Sequence, residues 1–247
     1  MRRIRVGDVD VALDEHGAGD PVLLAHPASL SRVVWERTMD ALAARFRVIA
    51  PDLPGHGDTE GETLDFPAFV DGLCEALGVG AAHWIGSSWG GGIAIRAAAF
   101  TKRARKLVLV GTTGVPADEL PRPAASKGDG PWQVFRSTYE DATLVTRARF
   151  RLYTSLQKRA MPYLARCREW LPADYPRVGL TREMARVEAP TLVVWGAKDR
   201  TFPPLAAEIV ARHVRGARVS IYERSNHFPF LDEPDRFNRE VIDFLAG

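Results

Sequence analysis

Apolar and polar positions along the chain follow two periods, and segments of the two kinds alternate. Short apolar runs between turn residues are typical of strands, and runs without polar alternation are typical of strands buried on both faces. The predicted strands are Val9–Leu13, Val22–Ala25, Phe46–Ala50, Ala82–Ile85, Lys106–Val110, Thr191–Trp195 and Arg218–Tyr222. Segments with helical periodicity lie between them, at Val33–Ala44, Pro67–Leu77, Gly90–Phe100, Pro204–His213 and Pro234–Leu245. Strands that alternate with helices predict an α/β fold, with a mostly parallel central sheet flanked by helices.

The alternation is interrupted once, between residues 114 and 189. No run in this segment has a strand pattern, and Val115–Pro131 is rich in Pro and Gly, which predicts a loop. The spacing of Val145, Ala148, Leu152 and Leu156 predicts an amphipathic helix with this stripe as its apolar face. We therefore predict a core domain made of residues 1–113 and 190–247 and a helical cap (lid) made of residues 114–189, placed to cover a site.

The composition is that of an ordinary globular domain: 46% of the 247 residues are hydrophobic and 26% are charged. The 33 basic and 31 acidic residues leave a net charge of +2, so no overall field attracts nucleic acid or an anionic membrane. We expect a small-molecule partner instead. Cys74 and Cys167 form no Cys-x-x-Cys pair, and the N-terminal segment lacks the apolar stretch of a signal peptide. We therefore expect a reduced, cytoplasmic setting and neither a metal nor a cofactor.

Polar residues directly after strands are the first candidates for chemistry, because ligands of open α/β sheets bind at the carboxyl ends of the strands. After the strand that ends at Ile85 comes Gly86-Ser87-Ser88-Trp89-Gly90, followed by an apolar helix. This is a Gly-x-Ser-x-Gly nucleophile elbow in its strand–turn–helix context. Ser88 is predicted to stand in a strained turn at the helix N-terminus, where free N–H groups favour a developing negative charge.

A serine hydroxyl needs a base, and the base needs an orienting carboxylate. Asp199 follows the strand Thr191–Trp195, and His227 follows the next strand. Other candidate carboxylates are Asp52, Asp118 and Asp232, but only Asp199 follows the strand just before the histidine loop. The segment His26-Pro27-Ala28-Ser29 follows an earlier strand, where a second oxyanion donor is expected.

With these motifs the chain resembles the α/β-hydrolase superfamily from its first strands to its last helix. Asp52–Thr59 resembles the family's Asp-x-Pro-Gly-x-Gly-x-Ser turn, with Thr at the Ser position. Asn226-His227 followed by Asp232-Glu233-Pro234 resembles its C-terminal histidine loop and last helix. The size and the single insertion resemble the small lactonase, esterase and cofactor-free haloperoxidase-like group, which includes 3-oxoadipate enol-lactonases.

The resemblance implies an α/β-hydrolase fold and roles for five residues. Ser88 is the nucleophile, His227 the base and Asp199 its orienter. The backbone N–H groups of Ala28 and Trp89 form the oxyanion hole. Family members usually carry Gly where this chain has Pro27, which fixes φ and removes an N–H, so the oxyanion loop departs from the family pattern.

Substrate-binding candidates are less specific, and they comprise His26, Trp132, Phe135, Arg147, Arg151 and Phe228. Between residues 142 and 168 the chain carries seven basic residues and no acidic ones. One interpretation is that these residues face the site and bind a substrate carboxylate or phosphate. The other is a solvated helix face in an Arg-rich protein.

Together these patterns predict a cofactor-independent serine hydrolase that cleaves a small ester, lactone or thioester through an acyl-enzyme. Hydrolysis of a carbon–carbon bond beside a ketone is an alternative chemistry for the same residues. A ligand-binding receptor that uses the cap as a lid is an alternative of another class, since fold alone does not decide function.

Overall fold

The computed structural model describes residues 1–121, 131–170 and 173–247. Within these residues the strands are β1 (Arg2–Val6), β2 (Val9–His16), β3 (Pro21–Ala25), β4 (Arg47–Pro51), β5 (Ala82–Ser87), β6 (Ala104–Val110), β7 (Thr191–Gly196) and β8 (Arg218–Tyr222). The helices are α1 (Glu36–Leu42), α2 (Phe66–Ala76), α3 (Trp89–Phe100), α4 (Pro131–Ser137), α5 (Arg147–Trp170), α6 (Tyr175–Val178), α7 (Thr181–Met184), α8 (Leu205–His213), α9 (Pro229–Asp232) and α10 (Pro234–Ala246). Short 3-10 turns lie at Arg32–Trp35, Ala117–Glu119 and Ala142–Leu144.

The strands form one sheet in the order β1-β2-β4-β3-β5-β6-β7-β8. β1 and β2 are antiparallel to their neighbours. The other six strands, β3 to β8, are parallel to one another. The predicted α/β fold with a mostly parallel sheet is therefore confirmed, and so are the seven predicted strands. The edge strand β1 was not predicted, because four of its five residues are half-buried or exposed and three of them are Arg.

The register of the sheet brings the candidate loops to one edge. Ala25 of β3 pairs with Gly86 of β5, and Val110 of β6 pairs with Val194 of β7. Gly196 at the end of β7 pairs with Tyr222 at the end of β8. Since the strands are parallel, the loops that follow β3, β5, β7 and β8 all begin at this edge, as the positions of their polar residues predict.

Apolar side chains cover the sheet on both faces. One cluster packs β-strand side chains such as Trp84 and Val193 against α2, α3 and α8. The other packs Leu24, Ile85 and Val194 against α1, α9 and α10. Central strands are thus buried on both faces, which explains their continuous apolar runs.

The chain between β6 and β7 is called here the β6–β7 insertion (residues 111–190), and its described residues form helices and turns without a strand. Most of the predicted loop Val115–Pro131 lies outside the described residues. The predicted helix is confirmed as α5, but the predicted stripe is not its buried face: Ala148 is exposed and Leu152 is 50% exposed. Among residues 147–169 of α5, the buried ones are Ala160, Tyr163, Leu164 and Cys167. The reason is that the C-terminal half of α5 packs on the core, and a spacing read in the N-terminal half cannot report this contact.

None of the described helices is long and apolar enough to cross a membrane.

Candidate active site

Ser88 lies at the sharp turn between β5 and α3. Its φ of 50° is one of only two positive values at non-glycine positions among the described residues. The turn is held by backbone bonds, since the Ser88 N–H donates to the Val110 carbonyl at 2.9 Å and the Ser88 carbonyl accepts from Thr113 at 3.1 Å. Such a strained conformation persists only where its surroundings fix it, and it is typical of functional sites.

The two glycines that flank this turn are required by close contacts. A Cβ at Gly86 would lie 2.5 Å from the Gly90 carbonyl oxygen, and a Cβ at Gly90 would lie 2.1 Å from that of Ala25. The backbone of α3 therefore approaches β3 and β5 more closely than any side chain allows. This closeness sets Ser88, half-buried, at the N-terminus of α3.

Asp199 and His227 form a buried pair at the ends of β7 and β8. His227 Nδ1 lies 2.8 Å from Asp199 Oδ2, and the two side chains are 3% and 0% exposed. The other carboxylate oxygen of Asp199 accepts from the N–H groups of Thr201 and Phe202, at 2.7 and 3.0 Å. With both oxygens bonded, the carboxylate is held in place and fixes the ring of His227. With Nδ1 bonded to Asp199, Nε2 is the ring nitrogen that can exchange protons with a substrate or a nucleophile.

The three competing carboxylates are bonded elsewhere. Asp52 pairs with Arg32, and Asp118 is exposed and lies 4.0 Å from Arg177. Asp232 accepts the N–H of Asn226 at 2.9 Å. Asp199 is the one of the four whose carboxylate contacts His227.

The oxyanion loop follows β3 and is folded around the Pro27 carbonyl. That oxygen accepts the N–H of Leu30 at 3.3 Å and lies 2.8 Å from His26 Nδ1. Ser29 has a φ of 59°, and Ala28 is half-buried. Trp89 is the first residue of α3, so its N–H has no carbonyl partner within the helix. The predicted oxyanion donors thus follow two adjacent strands: Ala28 lies in the loop after β3, and Trp89 begins α3 directly after the Ser88 turn that follows β5.

His26 is fully buried, and both of its ring nitrogens meet backbone groups. The Leu53 N–H donates to Nε2 at 3.0 Å, so Nδ1 carries the proton and donates to Pro27. Burial, together with the nearby His56, lowers the pKa of His26 to about 3. A neutral ring in this position ties the loop after β3 to the loop after β4. The predicted substrate contact of His26 would have to compete with these bonds.

The aromatic candidates form a chain of ring contacts that leads from the insertion to the histidine. Phe228 packs on His227 with ring centroids 4.8 Å apart and on Tyr139 at 5.6 Å. Tyr139 in turn contacts Phe135 of α4 at 5.2 Å, and Phe135 contacts Trp132 at 5.9 Å. Of the three predicted aromatics, Phe228 is the one that touches His227.

A groove of about 250 Å³ lies between α1, α4 and α5, and it is called here the apolar groove. Ser88, Asp199 and His227 are not among its lining residues, but Leu30 lies two residues after Ala28, and the ring of Tyr139 contacts that of Phe228. Its lining residues are Leu30, Ser31, Val33, Val34, Glu36, Arg37, Phe135, Tyr139, Leu144, Arg149, Leu152, Tyr153, Leu156 and Leu231. The wall is therefore mostly apolar, with Glu36, Arg37 and Arg149 as its charged members.

The basic residues of α5 serve different contacts. Arg147 stacks on Trp132, with its guanidinium 4.4 Å from the ring centre, and Arg151 is exposed. Arg159 donates to the Thr59 carbonyl at 3.0 Å, and Arg166 pairs with Glu62. Arg149 lines the apolar groove, a position that the sequence did not single out.

An ion cluster that the sequence did not predict joins the loops after β3 and β4, with Arg32 and Asp52 as its buried members. Asp52 accepts the N–H groups of Arg32 and Asp58, at 2.6 and 2.7 Å, and pairs with the Arg32 guanidinium. The same guanidinium reaches Asp14 and Asp58 at 2.9 Å. The Asp52–Thr59 turn was visible in the sequence, whereas Arg32 directly precedes the predicted helix Val33–Ala44 and gave no signal.

Within the described part of the chain, no cluster of three or more His, Cys, Asp or Glu residues is arranged to hold a metal ion.

Comparisons with known proteins show the family and the fold. A family model described as the alpha/beta hydrolase family matches residues 22–240. The 2-hydroxy-6-oxononadienedioate/2-hydroxy-6-oxononatrienedioate hydrolase of Burkholderia vietnamiensis is 30% identical over 271 residues, which cover 96% of this chain and 91% of that protein. A pimeloyl-(acyl-carrier protein) methyl ester esterase of Neisseria meningitidis is 31% identical over 244 residues, which cover 92% and 93%.

Among solved structures, a variant of the meta-cleavage product hydrolase from Pseudomonas fluorescens IP01, complexed with acetates, superposes with a TM-score of 0.83. It is 25% identical, and the superposition covers 100% of this chain and 97% of that one.

Proposed function

The chain belongs to the alpha/beta hydrolase family, and on that premise we propose that it is a cofactor-independent serine hydrolase that cleaves a small ester, lactone or thioester through an acyl-enzyme. The observation that carries this proposal is the buried Asp199–His227 pair, at 2.8 Å, on the same sheet edge as the strained Ser88 turn. Nucleophile, base and orienting acid then come from the ends of β5, β8 and β7.

In the first half of the reaction, Ser88 Oγ attacks the substrate carbonyl while His227 Nε2 takes the hydroxyl proton. Asp199 stabilises the resulting imidazolium and keeps Nδ1 protonated. The oxyanion is bound by the N–H groups of Ala28 and Trp89, and the dipole of α3 adds to this stabilisation. Collapse of the tetrahedral intermediate breaks the bond to the leaving group, which takes the proton from His227.

In the second half, water replaces the leaving group. His227 takes a proton from the water, whose oxygen attacks the acyl carbon, and the second tetrahedral intermediate expels Ser88 Oγ. The serine recovers its proton from His227, and the carboxylic acid product leaves. The net reaction adds one water across the acyl bond.

The apolar groove adjoins the histidine loop through the contact of Tyr139 with Phe228, and we propose that it binds part of the substrate. Its volume of about 250 Å³ is close to the lower end of the usual range of ligand pockets, ~300–1,000 Å³, which favours a small-molecule substrate. The apolar wall suits a hydrocarbon part of the acyl or alcohol group. Arg37 and Arg149 at this wall suit a substrate that also carries an anionic group. The helical cap that the sequence predicts over residues 114–189 supplies α4 and α5 to this groove.

Carbon–carbon bond hydrolysis is the second candidate, and the relative from Burkholderia vietnamiensis favours it, since its name describes the hydrolysis of an oxo-dienedioate. The same three side chains can serve this chemistry. Water adds across the bond beside a ketone, so that the acyl carbon gains a hydroxyl group and the departing carbon gains a hydrogen.

The decisive experiment is a substrate panel assayed with the wild-type protein and with Ser88→Ala. The panel contains p-nitrophenyl esters of increasing acyl length, a lactone, a thioester and 2-hydroxy-6-oxononadienedioate. We expect multiple turnovers of an ester, and cleavage of the dienedioate alone would favour the second candidate. Ser88→Ala should leave the fold intact, abolish labelling by a fluorophosphonate probe and reduce turnover to the ~10³–10⁴-fold residual enhancement over water. Full labelling of the variant would overturn the assignment of Ser88.

A further inference from the structure

Asp232 ends α9 and bonds to two separate parts of the chain. One carboxylate oxygen accepts the N–H groups of Glu140 and Asp141, at 3.0 and 3.1 Å. The other oxygen accepts the N–H of Asn226 at 2.9 Å. Glu140 and Asp141 belong to the β6–β7 insertion, and Asn226 is the residue directly before His227. A single side chain therefore joins the insertion to the histidine loop.

The segment Tyr139–Asp141 makes two more contacts with the same machinery. The Glu140 carboxylate pairs with Lys198 at 2.6 Å, and Lys198 directly precedes Asp199. The ring of Tyr139 lies 5.6 Å from that of Phe228, which directly follows His227. The segment thus touches the acid loop and the histidine loop at once, while Tyr139 also lines the apolar groove.

The chemistry of a carboxylate is essential to this link. Both of its oxygens are acceptors, so it can bind the insertion with one and the histidine loop with the other. An amide has one acceptor oxygen and one NH₂ donor. In whichever way an Asn side chain is turned at position 232, its NH₂ group meets a backbone N–H, and one of the two links is lost.

We propose that Asp232 is a positioning residue that couples the segment Tyr139–Asp141 of the insertion to the placement of His227. The proposal rests on the proposed function, in which His227 is the base. Its consequence is that the base reaches full activity only when the insertion is seated on the core. Asp232 acts through the backbone of Asn226 and touches neither the substrate nor the reacting atoms.

The first test compares Asp232→Asn with Asp235→Asn, the same change at an exposed residue in the first turn of α10. The substrate is p-nitrophenyl acetate, whose small acyl group isolates the chemical step from the groove. The kcat is expressed per active site, titrated with a fluorophosphonate. We expect kcat of Asp232→Asn to fall about tenfold with little change in KM, because a small displacement of a catalytic group has effects of this size. Asp235→Asn should match the wild type.

The second test removes a hydrogen bond from the insertion side and leaves Asp232 unchanged. Asp141 has a φ of −69°, which proline adopts, so Asp141→Pro deletes one N–H donor to Asp232. Asp141→Ala is its reference, since it loses the same side-chain bonds to Thr143 but keeps the N–H. We expect the rate of fluorophosphonate labelling per folded molecule to be severalfold lower in Asp141→Pro than in Asp141→Ala.

A purely structural role would give a different result. In that case Asp232→Asn and Asp141→Pro would lower the melting temperature and the number of active sites, but kcat and the labelling rate per site would equal those of their controls. That result would overturn the proposal while Ser88→Ala still abolished turnover, so the proposed function would stand. Turnover that survives Ser88→Ala would instead overturn the function on which the proposal rests.

Discussion

At the scale of single residues, the bonding partners of each carboxylate decide its role. Asp199 holds His227, whereas Asp52 is buried against Arg32 and Asp232 binds backbone N–H groups. All three side chains are at least half-buried, and each belongs to a segment that the sequence already marked as a candidate. In the sequence Asp199 is distinguished by following the strand just before the histidine loop, and in the structure the direction of its carboxylate, toward His227, distinguishes it from the two structural carboxylates.

Substitutions at Asp199 and Asp52 should therefore affect different quantities. Asp199→Asn should lower kcat by up to ~10⁴-fold, because the amide favours the wrong tautomer of His227 and cannot stabilise its imidazolium. Asp52→Asn should lower the free energy of unfolding by about 1.5–3 kcal/mol, since it removes the buried one of the three carboxylates that pair with Arg32, and change kcat per folded molecule little. Steady-state kinetics and urea unfolding of both variants measure the two effects. A nearly silent Asp199→Asn would move the acid to another loop.

His26 should make the stability of the protein depend on pH. In the folded protein burial lowers its pKa to about 3, whereas in the unfolded chain it titrates near 6.5. As the pH falls below 6.5, only the unfolded state binds the proton, so the contribution of His26 to stability is complete above that pH and is lost progressively toward pH 3. At pH 5 the free energy of unfolding should be lower by about 2 kcal/mol because of His26 alone.

The measurement for His26 is urea unfolding at pH 7.5 and pH 5.0, in the wild type and in His26→Asn. Other buried histidines contribute equally to the pH dependence of both proteins. The contribution of His26 is therefore the difference between the two proteins in how far the free energy of unfolding changes with pH. Between these pH values the free energy of unfolding should fall by about 2 kcal/mol less in His26→Asn than in the wild type. An equal loss in both proteins would mean that His26 is not held neutral in the folded state.

At the scale of elements, α5 shows how an insertion is fixed to a core. Arg159, Tyr163 and Arg166 lie three or four residues apart, so they share one face of the helix. They contact Thr59, Thr63 and Glu62 of the loop after β4. The ring of Tyr163 packs directly on the turn at Gly55.

Substitution of Gly55 tests this contact. In Gly55→Ala the new Cβ would lie 2.4 Å from the Tyr163 ring, whereas in Gly78→Ala it would have no neighbour within 4 Å. Both glycines have positive φ, +74° and +67°, so both variants carry a similar backbone cost of roughly 1–2 kcal/mol. The free energy of unfolding should fall about 1–3 kcal/mol further in Gly55→Ala than in Gly78→Ala, because the new Cβ overpacks the contact with Tyr163. Equal losses in thermal or urea unfolding would show that α5 does not seat on this turn.

At the scale of the whole molecule the net charge is only +2, but basic residues are concentrated on α5. Several basic residues of α5 are held by contacts within the protein, namely Arg147 by Trp132, Arg159 by Thr59 and Arg166 by Glu62. Arg149 lines the apolar groove together with Arg37 from α1. The basic residues between 142 and 168 form one feature in the sequence, but in the structure they have different roles. Arg147 packs on Trp132, Arg159 and Arg166 bind the loop after β4, and Arg149 lines the groove.

This division predicts which arginine affects substrate choice. If the groove binds the anionic part of a substrate, Arg149→Ala should reduce the preference for an acid-bearing ester over its neutral methyl ester by twofold to about fivefold, the size of an exposed ion pair. Arg151→Ala, on the same helix but outside the groove, should leave the preference unchanged. The measurement is kcat/KM for both esters at low and high salt, because screening should weaken the preference. Equal kcat/KM values for the two esters in every variant would show that Arg149 does not bind the substrate.

The sequence by itself determined the parallel strands, the helices between them and the loops that carry the candidate residues. These features have local causes: continuous apolar runs form buried strands, and glycines at 86 and 90 are required where α3 touches the sheet. Ser88, Asp199 and His227 could be named together because parallel strands end at a common edge, so order along the chain predicts proximity in space.

Only the tertiary structure decided which groups meet across long separations. Arg32 meets Asp14 and Asp58, and Asp232 meets Glu140, through contacts between elements that no local pattern encodes. The buried face of α5 was wrongly predicted for the same reason, since the surface that covers it is the loop after β4. Periodicity reports that a helix has a face to bury, but the shape and charge of the surface it packs on decide which face that is.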